Sequence, residues 1–176
     1  MRPALPTTQV APTPELAPPA EPSASSPEVD YVSEEGHFAI RYPEGYRIYV
    51  GEKPSVDGVI IPLRNSITLV SSTSPNFGLT IEHFAFENPL SLEDFISQDD
   101  CLLDATSARG IVVGTEPGAL FADTPCGPVG SSLAFLVHEK GAYRLTIETV
   151  GNYAQIEESV MAVLSTFEWT GQGVLK

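Results

Sequence analysis

Apolar and polar residues alternate with a period of two through much of the chain, a pattern that predicts β-strands buried on one face. Phe38, Ile40 and Tyr42 alternate with Ala39 and Arg41. Pro43-Glu44-Gly45 then turns the chain, and residues 46–50 start a second strand. Two short apolar runs follow, at 59–63 and 67–70, with Arg64-Asn65 between them. Phe77, Leu79 and Ile81 alternate with Gly78, Thr80 and Glu82, giving a strand that continues to about Phe86. Residues 111–113 and 119–122 predict two short strands around Pro117-Gly118. Two long strands close the pattern, over 131–139 and 142–150, with Lys140-Gly141 as their turn. In the second of these, Tyr143, Leu145 and Ile147 share one face, and Arg144, Thr146 and Glu148 the other.

Two segments change to the helical period. Ser91 is placed to cap a helix, with Asp94 three residues on as a weak capping-box partner. Glu93 and Asp94 lie in its first turn, where the helix dipole favours anions. Leu92, Phe95, Ile96 and Leu103 fall on one helical face, and Gly110 marks the end of the region. A last helix is expected over about 154–167, with Ile156, Val160, Val163, Leu164 and Phe167 as its buried stripe. Many antiparallel strands with two amphipathic helices predict a layered α+β domain, a sheet covered by helices.

Composition divides the chain of 176 residues. Residues 1–29 hold eight of its sixteen prolines, with Ala, Thr, Ser and Glu making up most of the rest. Such a segment has little to bury, and proline removes backbone donors, so it reads as an extended, disordered spacer. At full extension it would reach about 90 Å. The expected organisation is a Pro-rich tail over 1–30, one globular domain over 31–170 and a frayed end over 171–176. A ligand for SH3-like domains is the sharper reading of the tail, but no basic residue stands beside its later prolines.

Charge narrows the partners. The 23 acidic residues against 9 basic give a formal net charge of −14. The basic residues are scattered, so nothing concentrates the positive charge that nucleic acid or an anionic membrane requires. A protein or cell-envelope partner fits better, and an acidic surface favours basic partners. No apolar run is long enough to span a membrane. The first residues lack the apolar core of a signal peptide. The expectation is a mature form whose signal has been removed, with a lipid anchor upstream as one source of tethering.

Cys101 and Cys126 are the two cysteines. An even pair without a C-x-x-C spacing fits one disulfide in an oxidising compartment. Two buried free thiols are the alternative. The expected location is therefore extracytoplasmic, secreted or as a membrane-anchored lipoprotein.

Candidate chemistry is sparse. Asp99, Asp100 and Asp104, with Glu93 and Asp94 nearby, form the densest acidic patch and are the weak candidates for a metal site. They lack the alternating ligands and central glycine of a calcium loop. On a helix Asp100 and Asp104 would be an i,i+4 pair, which reads first as a solvated helix face. His83 shares strand parity with Leu79 and Ile81, and His138 with Ala134 and Leu136. The two would approach if their strands were neighbours, and His37 is the third histidine. A metal pair would need further ligands. Cys126 as a nucleophile would need a histidine base, and Gly130-Ser131-Ser132 lacks the second glycine of a nucleophile elbow. Tyr42, Tyr46, Tyr49 and Trp169 are the aromatics from which a surface patch would be drawn. No cofactor and no catalytic residue is expected.

The opening His37-Phe38-Ala39-Ile40-Arg41-Tyr42-Pro43-Glu44-Gly45-Tyr46 resembles the F-x-I-x-Y-P-x-G-(aromatic) start of the PsbP and Mog1-like families. Leu90-Ser91-Leu92-Glu93-Asp94-Phe95-Ile96 is similar to their first helix. Tyr143-Arg144-Leu145-Thr146-Ile147-Glu148-Thr149, with Leu164-Ser165-Thr166-Phe167, resembles their closing strand and helix. The similarity covers most of residues 36–170 and implies an α/β/α sandwich with a central, mainly antiparallel sheet. The families host unrelated tasks, from an extrinsic photosystem II protein to a partner of a small nuclear GTPase. Many bacterial members of this PsbP/Mog1-like pattern are secreted or lipid-anchored and have no assigned role, so the resemblance supplies a fold and no site. The expected function is a non-catalytic extracytoplasmic binding or accessory module on a flexible spacer. The alternative is a weak divalent-cation-binding protein or an enzyme using a pocket beside the sheet.

Overall fold

The structure is a computed structural model that describes residues 28–54, 59–71, 76–101, 103–126, 131–139 and 141–170. The Pro-rich tail expected at 1–30 lies outside these apart from its last three residues. Lys140, Gly130 and the end at 171–176 also lie outside them.

A small sheet opens and closes the domain. β1 (Glu28–Ser33) pairs antiparallel with β2 (Phe38–Pro43). A two-residue strand at the far end of the chain (Glu168–Trp169), β10 in chain order, pairs with β2 on its other side. The large sheet has seven strands. They are β3 (Tyr46–Pro54), β4 (Ile60–Ser71), β5 (Phe77–Ala85), β6 (Arg109–Val113), β7 (Glu116–Phe121), β8 (Ser131–His138) and β9 (Gly141–Thr149). Their spatial order is β3-β4-β5-β9-β8-β7-β6, and every adjacent pair is antiparallel.

The period of two gives each strand an inner and an outer face, and both faces of the large sheet bury side chains. On one face Leu69, Leu79, Ile81, Ala134, Leu136, Leu145 and Ile147 join β2 and the helix α2 (Glu157–Leu164). Val160, Val163 and Leu164 are the buried stripe of α2. On the other face Phe121, Leu133 and Phe135 meet Phe95 and Ile96 of the helix α1 (Leu92–Ser97). The fold is thus an α+β sandwich around a central antiparallel sheet, as the sequence pattern and the resemblance both imply.

Several element boundaries differ from expectation, each for a local reason. The runs at 59–63 and 67–70 form one strand, because Asn65 takes a left-handed backbone (φ 54°) inside β4 instead of ending it. Pro117 and Gly118 lie within β7, and the turn before them uses Gly114 at φ 60°. Pro117 is tolerated there because pairing with β8 starts only at Gly118, so its missing N–H faces no second strand. The last helix is shorter than 154–167: residues 153–155 form a 3₁₀ turn before α2. Phe167 is still buried, beyond the helix, where its ring stacks on Phe38 at 4.6 Å.

The first helix is capped by Ser91, whose Oγ accepts from the Asp94 N–H at 3.0 Å. It ends at Ser97, so Leu103 reaches the core from a loop rather than from the helical face assigned to it. The i,i+4 placement of Asp100 and Asp104 on a helix is therefore overturned. The Asp99 carboxylate accepts the Cys101 N–H at 3.0 Å, and this local bond competes with helix continuation. Cys101 and Cys126 form a disulfide with their Cα atoms 5.8 Å apart. It ties the segment after α1 to the segment between β7 and β8. The reading of Cys126 as a free nucleophile falls with it.

Candidate functional site: a histidine-lined groove

The weak metal candidates do not converge. Asp99 is almost fully buried and pairs with Arg144 at 3.2 Å. Asp104 is exposed, and its Oδ1 accepts the Thr106 N–H at 2.9 Å and the Thr106 hydroxyl at 2.7 Å. Those bonds hold its carboxyl below the usual range. Asp100 stands in the exposed turn after the helix. Among the described residues no group of three or more His, Cys, Asp or Glu is placed to hold a metal ion.

The three histidines, by contrast, meet at one place. His83 ends the inner face of β5, and His138 ends the inner face of β8. Strand β9 lies between them and sets Tyr143 opposite His83. His37 arrives from the turn between β1 and β2. The rings form a row: His37 is edge-on to His83 at 5.9 Å, and His83 stacks on Tyr143 at 5.0 Å. Tyr143 leans on Trp169 at 5.0 Å, and Trp169 stacks on His138 at 4.4 Å. The expected approach of His83 and His138 is thus realised through Tyr143 and Trp169, because a strand intervenes.

Beside this row is an open cavity of about 210 Å³, lined by His37, His83, Phe86, His138, Glu139 and Tyr143 among others. A second cavity of about 100 Å³ shares His83 and adds Glu34, Glu35 and Asn65. Gly141 lets the groove form. A Cβ there would stand 2.8 Å from His83 Nε2 and 3.2 Å from the Tyr143 hydroxyl, closer than packed atoms tolerate.

The groove is held from behind. The Tyr143 hydroxyl donates to the buried Gly36 carbonyl at 2.8 Å. The Thr170 N–H donates to the His37 carbonyl at 3.0 Å, and the Gly36 N–H donates to Ser33 Oγ at 3.0 Å. His138 Nδ1 lies 2.9 Å from a Glu116 carboxylate oxygen. Four non-glycine residues among those described have positive φ, and three of them line these cavities: His37 (52°), Asn65 (54°) and Glu139 (47°). Backbone strain of this kind concentrates at functional positions.

Burial, and the neighbouring His37, lower the His83 pKa, while Glu35 acts in the opposite sense. His83 is thereby biased towards the neutral ring. Burial, and then Glu139, push the Tyr143 hydroxyl up to about 12, so it stays a hydrogen-bond donor at neutral pH. The arrangement offers ring faces, carboxylates at its rim and backbone carbonyls engaged from behind.

Sequence parity points to His83 and His138 but not to their companions. Tyr143 reads as a core aromatic on its strand face, Trp169 as one of the aromatics for a surface patch without a place in it, and His37 sits in a turn with no periodicity to place it. The signal for Trp169 was its position just past the last helix, where only the pairing of β10 with β2 decides which way it faces.

No family model matches the sequence, and no curated protein does. Solved structures do resemble the fold. One is a crystal structure from Bacteroides thetaiotaomicron VPI-5482, with a TM-score of 0.56 and 14% identity over 84% of this chain and 49% of that one. This chain therefore spans about half the length of that protein. Another is the solution structure of cyanobacterial PsbP (CyanoP) from Synechocystis sp. PCC 6803, with a TM-score of 0.52 and 11% identity. There the match covers 85% of this chain and 96% of that one. The fold is PsbP-like. At such identities the likeness carries the architecture and leaves function to the site.

Proposed function

We propose that the chain is a non-catalytic binding or accessory module that works outside the cytoplasm, with its Pro-rich N-terminal segment as a flexible spacer and a protein or cell-envelope component as its partner. The carrying observation is the ring-lined groove, in which Tyr143 and His138 are already engaged by the protein itself. Tyr143 donates to the Gly36 carbonyl and His138 meets Glu116, and away from the groove Cys126 is bonded to Cys101. What remains open to solvent is a shaped surface of rings and carboxylates, suited to recognition. The disulfide supports the compartment, because such bonds persist where glutathione does not reduce them. No described helix is long and apolar enough to cross a membrane, which is compatible with tethering by other means.

The test uses the native cell and the full gene. Cells are lysed in denaturant without reductant and treated with a heavy maleimide. The expected result is no labelling of Cys101 or Cys126 until reductant is added, together with digestion of the protein by protease applied outside the cytoplasmic membrane. Labelling without reductant and protection from the protease would overturn the proposed location.

A further inference from the structure

We infer that the histidine groove receives a guanidinium group, an arginine side chain of a basic partner protein. This rests on the binding-module reading and names the chemistry of its partner.

The walls favour a flat cation. His83, Tyr143 and Phe86 offer ring surface to the larger cavity, and His37 and His138 border it. Aromatic faces attract cations through the ring quadrupole. A guanidinium is planar and weakly hydrated, so it leaves water for such a wall more readily than an ammonium does.

The sign of the charge agrees. The described lining residues of the two cavities include Glu34, Glu35 and Glu139 and no Lys or Arg. The whole chain carries −14, which steers basic partners towards it. His83 is a wall of both cavities, so a cation in the larger one also lies near the carboxylates that line the smaller.

Acidification should release the ligand. The groups that face His83 are His37, Glu34 and Glu35 from the β1–β2 turn, Tyr143 from β9, and His138 and Glu139 from the end of β8. Protonating His83 sets positive charge beside the bound cation, and burial of this ring in the cavity wall favours its neutral form at neutral pH.

Two reporters are built in. Trp169 is the single tryptophan, and the three histidines give three separable ring resonances. The intact chain is titrated with N-acetyl-arginine amide and with the uncharged isostere N-acetyl-citrulline amide, following Trp169 emission and the histidine Cε1–H signals. Arginine amide should bind about tenfold more tightly than citrulline amide, the ratio expected for a partly desolvated cation on rings. The arginine response should be weaker at pH 5.5 than at pH 7.5, and weaker still as the pH falls further. Gly141→Val, which fills the groove, should abolish the response. The double variant Glu35→Gln/Glu139→Gln changes only exposed rim residues and should weaken it severalfold with an unchanged circular dichroism spectrum. Equal binding of citrulline and arginine, or no movement of either reporter with arginine amide, would overturn the inference. Neither result bears on the cysteine and protease test, so a failed groove and a failed module are told apart.

Discussion

The acidic segment after α1 and the histidine groove hold their ionisable groups in opposite ways. Asp99, Asp100 and Asp104 are close in sequence, and the structure commits two of them to local work. Asp99 holds the Cys101 N–H and balances Arg144, and Asp104 holds Thr106. The groove draws His37, His83 and His138 from three distant segments, and their rings face a cavity. Groups close along the chain tend to satisfy their own backbone, whereas groups brought together by topology are free to face a ligand.

The largest expected effect breaks the acidic segment. Replacing both cysteines, Cys101→Ser with Cys126→Ser, removes a closed loop of about 26 residues, worth about 3.5 kcal/mol in the chain-entropy model. Thermal melting should fall by roughly 10 °C. Arginine-amide binding, measured well below the new transition, should stay within about twofold, because the groove lies on the other face of the sheet. A large loss of binding in the folded variant would mean the two regions are coupled.

Asp99→Asn should come next. The Arg144 side chain would keep its half-buried place without its ion-pair partner, with only the cross-strand Glu82 left beside it. The expected cost is about 2 kcal/mol, read by urea denaturation. Asp104→Asn, on a fully exposed side chain, should move the midpoint very little. Comparable losses from the two would erase the distinction between a buried ion pair and a surface turn.

Much of this contrast was legible in the sequence, and its limits are instructive. The alternation through Phe38, Ile40 and Tyr42 and through Tyr143, Leu145 and Ile147 defined β2 and β9, because a period of two is a local property of the backbone. Number and spacing made a disulfide the expected state of the cysteine pair, with two buried free thiols as the alternative, and the structure bonds them. The early end of α1 was not, since Leu103 continued a helical period that Asp99 interrupts by a side-chain bond. Nor was the unbroken course of β4 through Arg64-Asn65, where the left-handed backbone of Asn65 is absorbed within the strand. The groove was half legible: parity placed His83 and His138 on one face, but strand order alone inserts β9 and Tyr143 between them. Trp169 and His37 join through β10 and a turn, which no local pattern encodes.

On the groove side, Tyr143→Phe keeps the ring and removes the hydroxyl. The buried Gly36 carbonyl then loses its donor, at a cost of about 1 kcal/mol. The turn that carries His37 should loosen, so arginine-amide affinity should fall severalfold while the core ring contacts persist. Exchange of the amide hydrogens at 34–37 should speed up, and unchanged exchange there would remove Tyr143 from its positioning role.

The smallest effect is a pH slope. Burial, then His37, depress the folded-state pKa of His83 below its value in the unfolded chain, near 6.5. The unfolded state then binds protons more readily, so His83 contributes stability that is fully present above about pH 6.5 and is lost as pH falls towards the depressed value. Glu82 shifts the other way, its carboxyl raised chiefly by burial, and gains stability on acidification. Comparing wild type with His83→Gln removes that opposing contribution. Between pH 7.5 and 5.5 the wild type should lose more melting temperature than the variant, by a few degrees at most. Parallel slopes would mean that His83 is as solvated as any surface histidine, and the groove would then hold its rings no more tightly than the acidic segment holds Asp100.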